Sequence, residues 1–212
     1  MFDNIYIYAH ISQNGDGPIC MAGDIDIRVP AQPPPEQPPL DSHDANAISA
    51  QALHLTELLL RSVPKIHREN MGLFMGTRFG SLEDDRIFQQ SRRDEGGRFV
   101  SPAAFRRTLP STIPAEISIA FGLHGPLITF ADSAAPARLA ITRAARWIAS
   151  GKISSAIAGS FDFVTATGGN SPNQVRTCHT RLCLAATRET LADINPLMTV
   201  TQAIINDFSF LM

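Results

Sequence analysis

The chain has 212 residues with 44% apolar and 18% charged side chains. Its mean hydropathy is near zero, so it is long enough and apolar enough to bury a core and is not a disordered or highly solvated polymer. A net charge of −2 and a pI near 6.3 exclude a broad basic field, so nucleic acid is not an expected partner. Three scattered cysteines, Cys20, Cys178 and Cys183, make no disulfide framework, and no signal peptide is recognised, so a reducing cytoplasm is expected. No apolar run approaches the roughly 20 residues of a bilayer span, so membrane insertion is not expected.

Asn4–Ala9 alternates and is rich in β-favouring residues, and Gly15, Gly17 and Pro18 break it; the pattern predicts a strand and then a loop. Asp24–Val29 alternates in the same way and predicts a second strand. Residues 30–39 are dominated by proline, which fixes φ and removes backbone donors, so they read as a stiff surface connector; a Pro-x-x-Pro signalling ligand is the alternative. From Ala45 to Val63, Ile48, Ala52, Leu55 and Leu59 recur at helical spacing, with Asp44 or Asn46 to cap the start and Pro64 to stop it. Met71–Met75 is almost wholly apolar and predicts a strand covered on both faces.

Ser81 with Asp84 resembles a capping box that opens a polar helix through about Arg93. Ser111 predicts the cap of another helix, with Pro114 in its first turn, where no amide donor is needed, and Gly122 at its end. Leu127–Ala131 reads as strand, and Pro136–Ser150 as a helix with Ile141, Ala145 and Ile148 on one face and Gly151 as its stop. Ser155–Ala158 and Thr180–Ala186 supply further strands around a loop at residues 167–172. Strands alternating with helices imply an α/β fold: a mixed, mainly parallel sheet covered by helices, with an antiparallel member at each end. Residues 1–190 form one expected domain, 191–212 a tail of undefined structure, and no internal repeat is visible.

Three stretches, in order and spacing, resemble the amino-terminal half of β-ketoacyl synthases, the condensing enzymes of the thiolase fold. They are Gly72-Leu-Phe-Met-Gly-Thr-Arg-Phe-Gly-Ser81; Ser101-Pro102 followed by Thr108 through Thr129, with its Gly-Leu-His-Gly-Pro turn; and Ala145 through Ser160, ending in Ala-Gly-Ser. The resemblance runs from about 71 to 162, extends from 4 to 187, and implies a thiolase-like half with a five-stranded sheet. Active members of that family read like Thr-x-x-Thr-Ala-Cys-Ala at the nucleophile, where strand turns into helix and backbone donors favour a thiolate and an oxyanion. The same register here runs Thr129-Phe-Ala-Asp-Ser-Ala134-Ala135, which places Ala134 at the cysteine position. The family's two catalytic histidines belong to its carboxyl-terminal half, and none of His10, His43, His54, His67, His124 and His179 occupies those motifs. The resemblance therefore implies no catalytic residue, no cofactor and no metal.

Several individual residues admit a second reading. Ser133 is similar to a nucleophile elbow but lacks flanking glycines, and serves more simply as a helix cap. Cys178, His179 and Cys183 are metal-ligand types, yet strand alternation sends them to differing faces; a buried cysteine pair is the simpler account. Gly76 to Gly80 lacks the Gly-Lys-Ser/Thr ending of a phosphate loop and reads as a tight turn, and Glu83, Asp84 and Asp85 as a dipole-favoured first helical turn.

A scaffold of this kind without its cysteine resembles the chain-length factors of type II polyketide synthases. The shortened form is most similar to the synthase-like amino-terminal domain proteins of aryl-polyene pathways. That resemblance implies pairing with an active β-ketoacyl-acyl-carrier-protein synthase as a heterodimer, with Leu127, Ile128, Thr129, Phe130 and Ala131 as the interface strand. It implies that Phe105, Thr108, Leu109, Thr112 and Ile113 shape the far end of the acyl tunnel, core packing being the alternative for Phe105 and Ile113. Arg106 and Arg107 would face an acidic carrier protein or simply be solvated. The face where a second thiolase layer packs in the family would be covered by the partner, by residues 191–212, or by both. A thioester hydrolase using Ser133 and a purely structural stabiliser of a synthase are the competing functions.

Overall fold

The computed structural model describes residues 2, 4–14, 20–23, 45–61, 63–94, 96–97, 102–132, 134–167, 174–191, 196 and 198–200. The elements are β1 (Ile5–Asn14), β2 (Cys20–Gly23), α1 (Ala45–Leu60), β3 (Gly72–Thr77), α2 (Leu82–Asp94), α3 (Pro102–Arg107), α4 (Thr112–Phe121), β4 (Leu127–Ala131), α5 (Pro136–Ala149), β5 (Ser155–Thr167), β6 (Gln174–Thr187) and β7 (Met198–Thr199). Among the described residues the strands form one sheet of order β2-β1-β6-β5-β3-β4, with β7 also on β1.

β3 pairs in parallel with both β4 and β5, while β6 lies antiparallel between β5 and β1. Four of the five principal strands, β1, β3, β4 and β5, therefore run the same way, as expected of a mainly parallel sheet. The expected antiparallel member at each end is corrected: β6 is interior, β2 is an antiparallel edge, and β4 is a parallel edge. The physical reason is the hairpin between β5 and β6. Each strand continues well past the apolar stretch that marks it in sequence, so the two pair from Ser155↔Ala186 to Thr167↔Gln174. The expected strand 24–29 and connector 30–39 lie outside the described residues.

Side chains alternate between two cores because successive Cβ atoms point to opposite faces of a strand. Leu73 and Met75 of β3, Ile157 and Phe161 of β5, and Leu182, Leu184 and Ala186 of β6 join Ala52, Leu55, Leu59 and Ile117, so α1 and α4 cover this face. Phe74, Ala156, Ala158, Cys183 and Ala185 point the other way, onto Ala140, Ile141, Ala144, Ala145 and Ile148 of α5. Each fully buried leucine or isoleucine contributes on the order of 2 kcal/mol. All six residues of β3 are buried, as its unbroken apolar run predicts. β1 keeps its pattern by a bulge: the register shifts between Ile7 and Ala9, and Tyr8 is buried with its hydroxyl donating to the Thr187 carbonyl at 3.1 Å.

The helix ends follow their sequence signals in part. α1 stops before Pro64, and the Arg68 guanidinium donates to its last carbonyl, Leu60, at 2.8 Å and to that of Val63, in the turn beyond it, at 2.9 Å. Gly122 takes the left-handed conformation, φ 65°, that closes α4. Ser111 precedes α4 without a side-chain capping bond. The expected capping box at Ser81 is not made as such: its hydroxyl lies against the Thr108 carbonyl and 3.3 Å from the Asp85 carboxylate, tying α2 to the end of α3. α3, a single short turn and a half, has no strong periodic signal. Part of the expected tail belongs to the fold, since β7 pairs with Tyr6 and Ile7 and Val200 is buried against the α5 side of the sheet.

Candidate functional site at the β4–α5 junction

At the carboxyl end of β3 and β4, where parallel α/β sheets present their sites, a cluster of polar bonds joins Thr77, Arg78, Asp132, Ala134 and Asp162. It exists because Gly76 lets the start of α5 approach β3. A Cβ at Gly76 would lie 2.2 Å from the Pro136 carbonyl oxygen. Any side chain there would push the helix off the strand.

Asp162 organises one half. Its Oδ1 accepts the Thr77 hydroxyl at 2.8 Å and the backbone N–H groups of Arg78 at 2.7 Å and Phe79 at 3.1 Å. The Thr77 hydroxyl oxygen in turn accepts the Gly80 N–H at 2.8 Å. The turn after β3, expected to be a tight glycine turn, is thus wrapped around a carboxylate from β5.

Asp132 organises the other half. Its N–H donates to the Thr77 carbonyl at 3.0 Å, and its Oδ1 accepts the N–H groups of Ala134 at 2.8 Å and Ala135 at 2.9 Å. The N–H groups of Ala135 and Ala134 hold the Asp132 carboxyl below the usual carboxylate range. The Arg78 guanidinium reaches the Ala134 carbonyl at 3.3 Å. Ser133, expected to cap α5, lies outside the described residues; the N-cap position is Ala135, with no side-chain capping bond, and Asp132 ties the two amides just ahead of the helix. Ala134 is exposed and sits between β4 and α5 with its N–H already bonded.

The residues expected to shape a tunnel separate into two places. Leu109, Thr112 and Ile113 line a narrow cleft of about 30 Å³ with Ser81, Arg107 and Phe161. Phe105 stands outside it, 54% exposed, with its ring 5.6 Å from that of Phe88. The Thr108 and Thr112 hydroxyls donate to the carbonyls of Phe105 and Arg106 at 2.7 Å each, which fixes the bend between α3 and α4. Ile113 also packs on the α1 core. Arg106 is exposed and lies 3.9 Å from Glu116, while Arg107 lines the cleft.

Leu127–Ala131 forms β4, the sheet edge, whose residues are half-buried apart from exposed Ala131. The Thr129 hydroxyl is buried without a hydrogen-bond partner among the described residues. Of the cysteine–histidine trio only the Cys183 side chain is described: it is buried, and burial pushes its thiol up to about 12. Among the described residues no helix is long and apolar enough to cross a membrane.

The profile of the β-ketoacyl synthase N-terminal domain matches residues 47–170, which takes in β3, β4, α5 and both halves of the polar cluster. The chain belongs to that family. Its fold is similar to "the ishigamide ketosynthase/chain length factor", with TM-score 0.57 and 23% identity over 71% of this chain and 46% of that one. It is similar too to a ketosynthase, ApeO, in complex with its chain length factor, ApeC, from Xenorhabdus doucetiae, with TM-score 0.51, 14% identity, and coverage of 72% and 64%. A third likeness, with TM-score 0.52, 15% identity, and coverage of 72% and 52%, is to a type II polyketide acyl-carrier protein in complex with its ketosynthase. The chain thus spans about half to just under two thirds of the length of these structures. No curated protein matches it. The mixed, helix-covered sheet is that of the thiolase-like ketosynthases.

Sequence pattern alone does not mark Asp162, Asp132 or Arg78 as residues that organise this site. Asp132 carries a local signal, an aspartate two and three residues ahead of the amides it accepts. Asp162 carries none, because its partners lie 83 to 85 positions away.

Proposed function

We propose that this chain is a non-catalytic ketosynthase-like subunit of the chain-length-factor type. In this reading it pairs with an active β-ketoacyl-acyl-carrier-protein synthase and limits by shape how long an acyl or polyene chain grows, in aryl-polyene or related type II polyketide formation. The observation that carries the reading is the junction itself. Ala134 offers a methyl group where the resembling enzymes hold a cysteine, and the Ala134 and Ala135 amides, the donors a thiolate or an oxyanion would need, are bonded to the Asp132 carboxylate. A carboxylate in that place opposes a second negative charge.

Pairing is supported by the sheet edge at β4, which a partner strand would cover. It is supported also by the exposed apolar side chains of Phe79, Leu82, Phe105 and Leu109 around α2 and α3. The names of the similar structures point the same way. Leu109, Thr112 and Ile113 would close the tunnel beneath the partner's active site, and Phe105 would meet the partner directly. The protein would act in the cytoplasm and require no cofactor.

Co-expression with a ketosynthase, followed by size-exclusion chromatography with mass analysis, tests this. A one-to-one complex whose product length shifts when Ile113 is made smaller or larger supports the reading. An unchanged product length in an intact complex would make the chain a stabiliser alone. Thiol release from an acyl thioester by the isolated chain, abolished by Ser133→Ala, would make it a hydrolase.

A further inference from the structure

The chain runs on past β7. Met198 and Thr199 lie opposite Ile7 and Tyr6 in antiparallel register, so the next residue, Val200, heads toward Ile5 and the start of β1. Val200 is fully buried in the apolar cluster that holds Phe2, Ile5 and Ile148, and its backbone is helical. The sequence beyond it has the pattern of a helix. Thr199 followed by Gln202 is a capping-box pair. At about 100° per residue, Ala203, Ile204, Phe208 and Leu211 return to the side of Val200 within an arc of roughly 140°, and Gln202, Asn206 and Ser209 fall opposite. Asp207, the one charged residue between 201 and 212, lies near the middle of the apolar arc.

Where Val200 leads, the body of the protein has a matching recess. A cavity of about 660 Å³ is lined by Phe2, Ile5, Tyr6, Ile148 and Ala149, with Arg188 at its edge. Phe2, Ile5 and Ile148 belong to the same cluster as Val200, so the recess continues the core that already holds the start of the segment. Arg188 is exposed and makes no ion pair among the described residues; Glu189 beside it is also exposed. The spacing agrees. Thr187 pairs with Ile5 on one side of β1 and β7 lies on the other, which puts Arg188 about two strand spacings, roughly 10 Å, from Val200. The seven helical steps from Val200 to Asp207 also advance about 10 Å.

We infer that the cavity between the start of β1 and the end of α5 is the docking site of this chain's own residues 201–212, which enter it as an amphipathic helix. Ile204, Phe208 and Leu211 pack on Phe2, Ile5 and Ile148, and the Asp207 carboxylate meets the Arg188 guanidinium. Left in water, the same side chains would form an exposed apolar patch. The single carboxylate on that face fixes the depth and direction of the helix, because it must reach the one cation at the cavity's edge. This site lies at the opposite end of α5 from the β4–α5 junction, so the inference is independent of any pairing with a synthase.

Hydrogen exchange of the full chain, read by mass spectrometry on peptides covering 201–212, tests this. The amides of the segment should be protected in the unaltered chain, and Asp207→Arg or Arg188→Asp alone should speed their exchange by about tenfold while peptides of β3 stay unchanged. The double variant Asp207→Arg/Arg188→Asp should restore protection. Phe208→Ser, which leaves the charges alone, should also release the segment. Exchange of 201–212 at the rate of an unstructured peptide in the unaltered chain would overturn the proposal, as would single charge variants that the double variant does not rescue. Protection that is lost on dilution, together with a dimeric mass, would seat the segment in a second copy and overturn docking within one chain.

Discussion

Asp162 on β5 accepts the hydroxyl of Thr77 at 2.8 Å across 85 positions of sequence. The same oxygen takes two backbone amides of the turn after β3, so a single carboxylate joins the central strand to the loop that carries Arg78. Charge-assisted bonds of this kind are each worth about 1.5–3 kcal/mol when well shielded; at this partly exposed site the sum is smaller. Asp162→Ala is expected to lower unfolding stability by about 2 kcal/mol. Asp162→Asn, which keeps an acceptor oxygen, should cost less. Urea denaturation of both variants checks the order, and equal stabilities would remove Asp162 from this role.

Gly76 makes a sharper prediction. The Pro136 carbonyl occupies the space of its missing Cβ, and both neighbours are main chain with little room to retreat. Gly76→Ala should cost about 3 kcal/mol or more, or leave the chain insoluble. A variant that melts within a degree of the original would show that α5 can shift.

Asp132 sets an acid limit on the junction. Its folded-state pKa is depressed by the Ala135 and Ala134 amides. The contribution is therefore complete above the unfolded value, near pH 4, and fades as pH falls through the lower folded value. Asp132→Ala should reduce stability at pH 6 and lose that difference in strong acid, which thermal melts at several pH values would reveal. With the amides released, Ala134→Cys/Asp132→Ala should alkylate with iodoacetamide faster at that cysteine than Ala134→Cys alone. The reverse order would contradict the assignment of Asp132 as the group that occupies these donors.

Cys183 is buried and its thiol titrates only at about 12, so the reactive thiolate is absent from the folded protein at neutral pH. Alkylation with peptide mapping should modify Cys183 only under unfolding conditions. The linkage has the opposite sign to that of Asp132. The thiol's contribution is present below its unfolded value and is lost as pH rises toward 12.

The elements that were legible in sequence are those whose signals are local. The spacing of Ala52, Leu55 and Leu59 gives α1; the apolar run at Leu73–Met75 gives β3; and Pro136 with Gly151 brackets α5. What sequence did not display depends on pairing between distant segments. β5 and β6 are as long as they are because each continues where the other supports it, past the point at which apolar alternation ends. The interior position of β6 follows from the order of strands in space. At the site, the loss of a nucleophile at Ala134 was legible by register with the family, whereas the wrapping of the Thr77 turn around Asp162 was not. No periodicity reports a bond between residues on different strands.

The pairing of β1 with β6, from Ile5↔Thr187 to Asn14↔His179, has a consequence for biosynthesis. β1 ends at Asn14 and β6 begins at Gln174, so β1 leaves the ribosome well before the strand that completes it. During that interval its apolar side chains lack their final neighbours, so nascent chains should engage chaperones, and the sheet should close in a slow step set by long-range contacts.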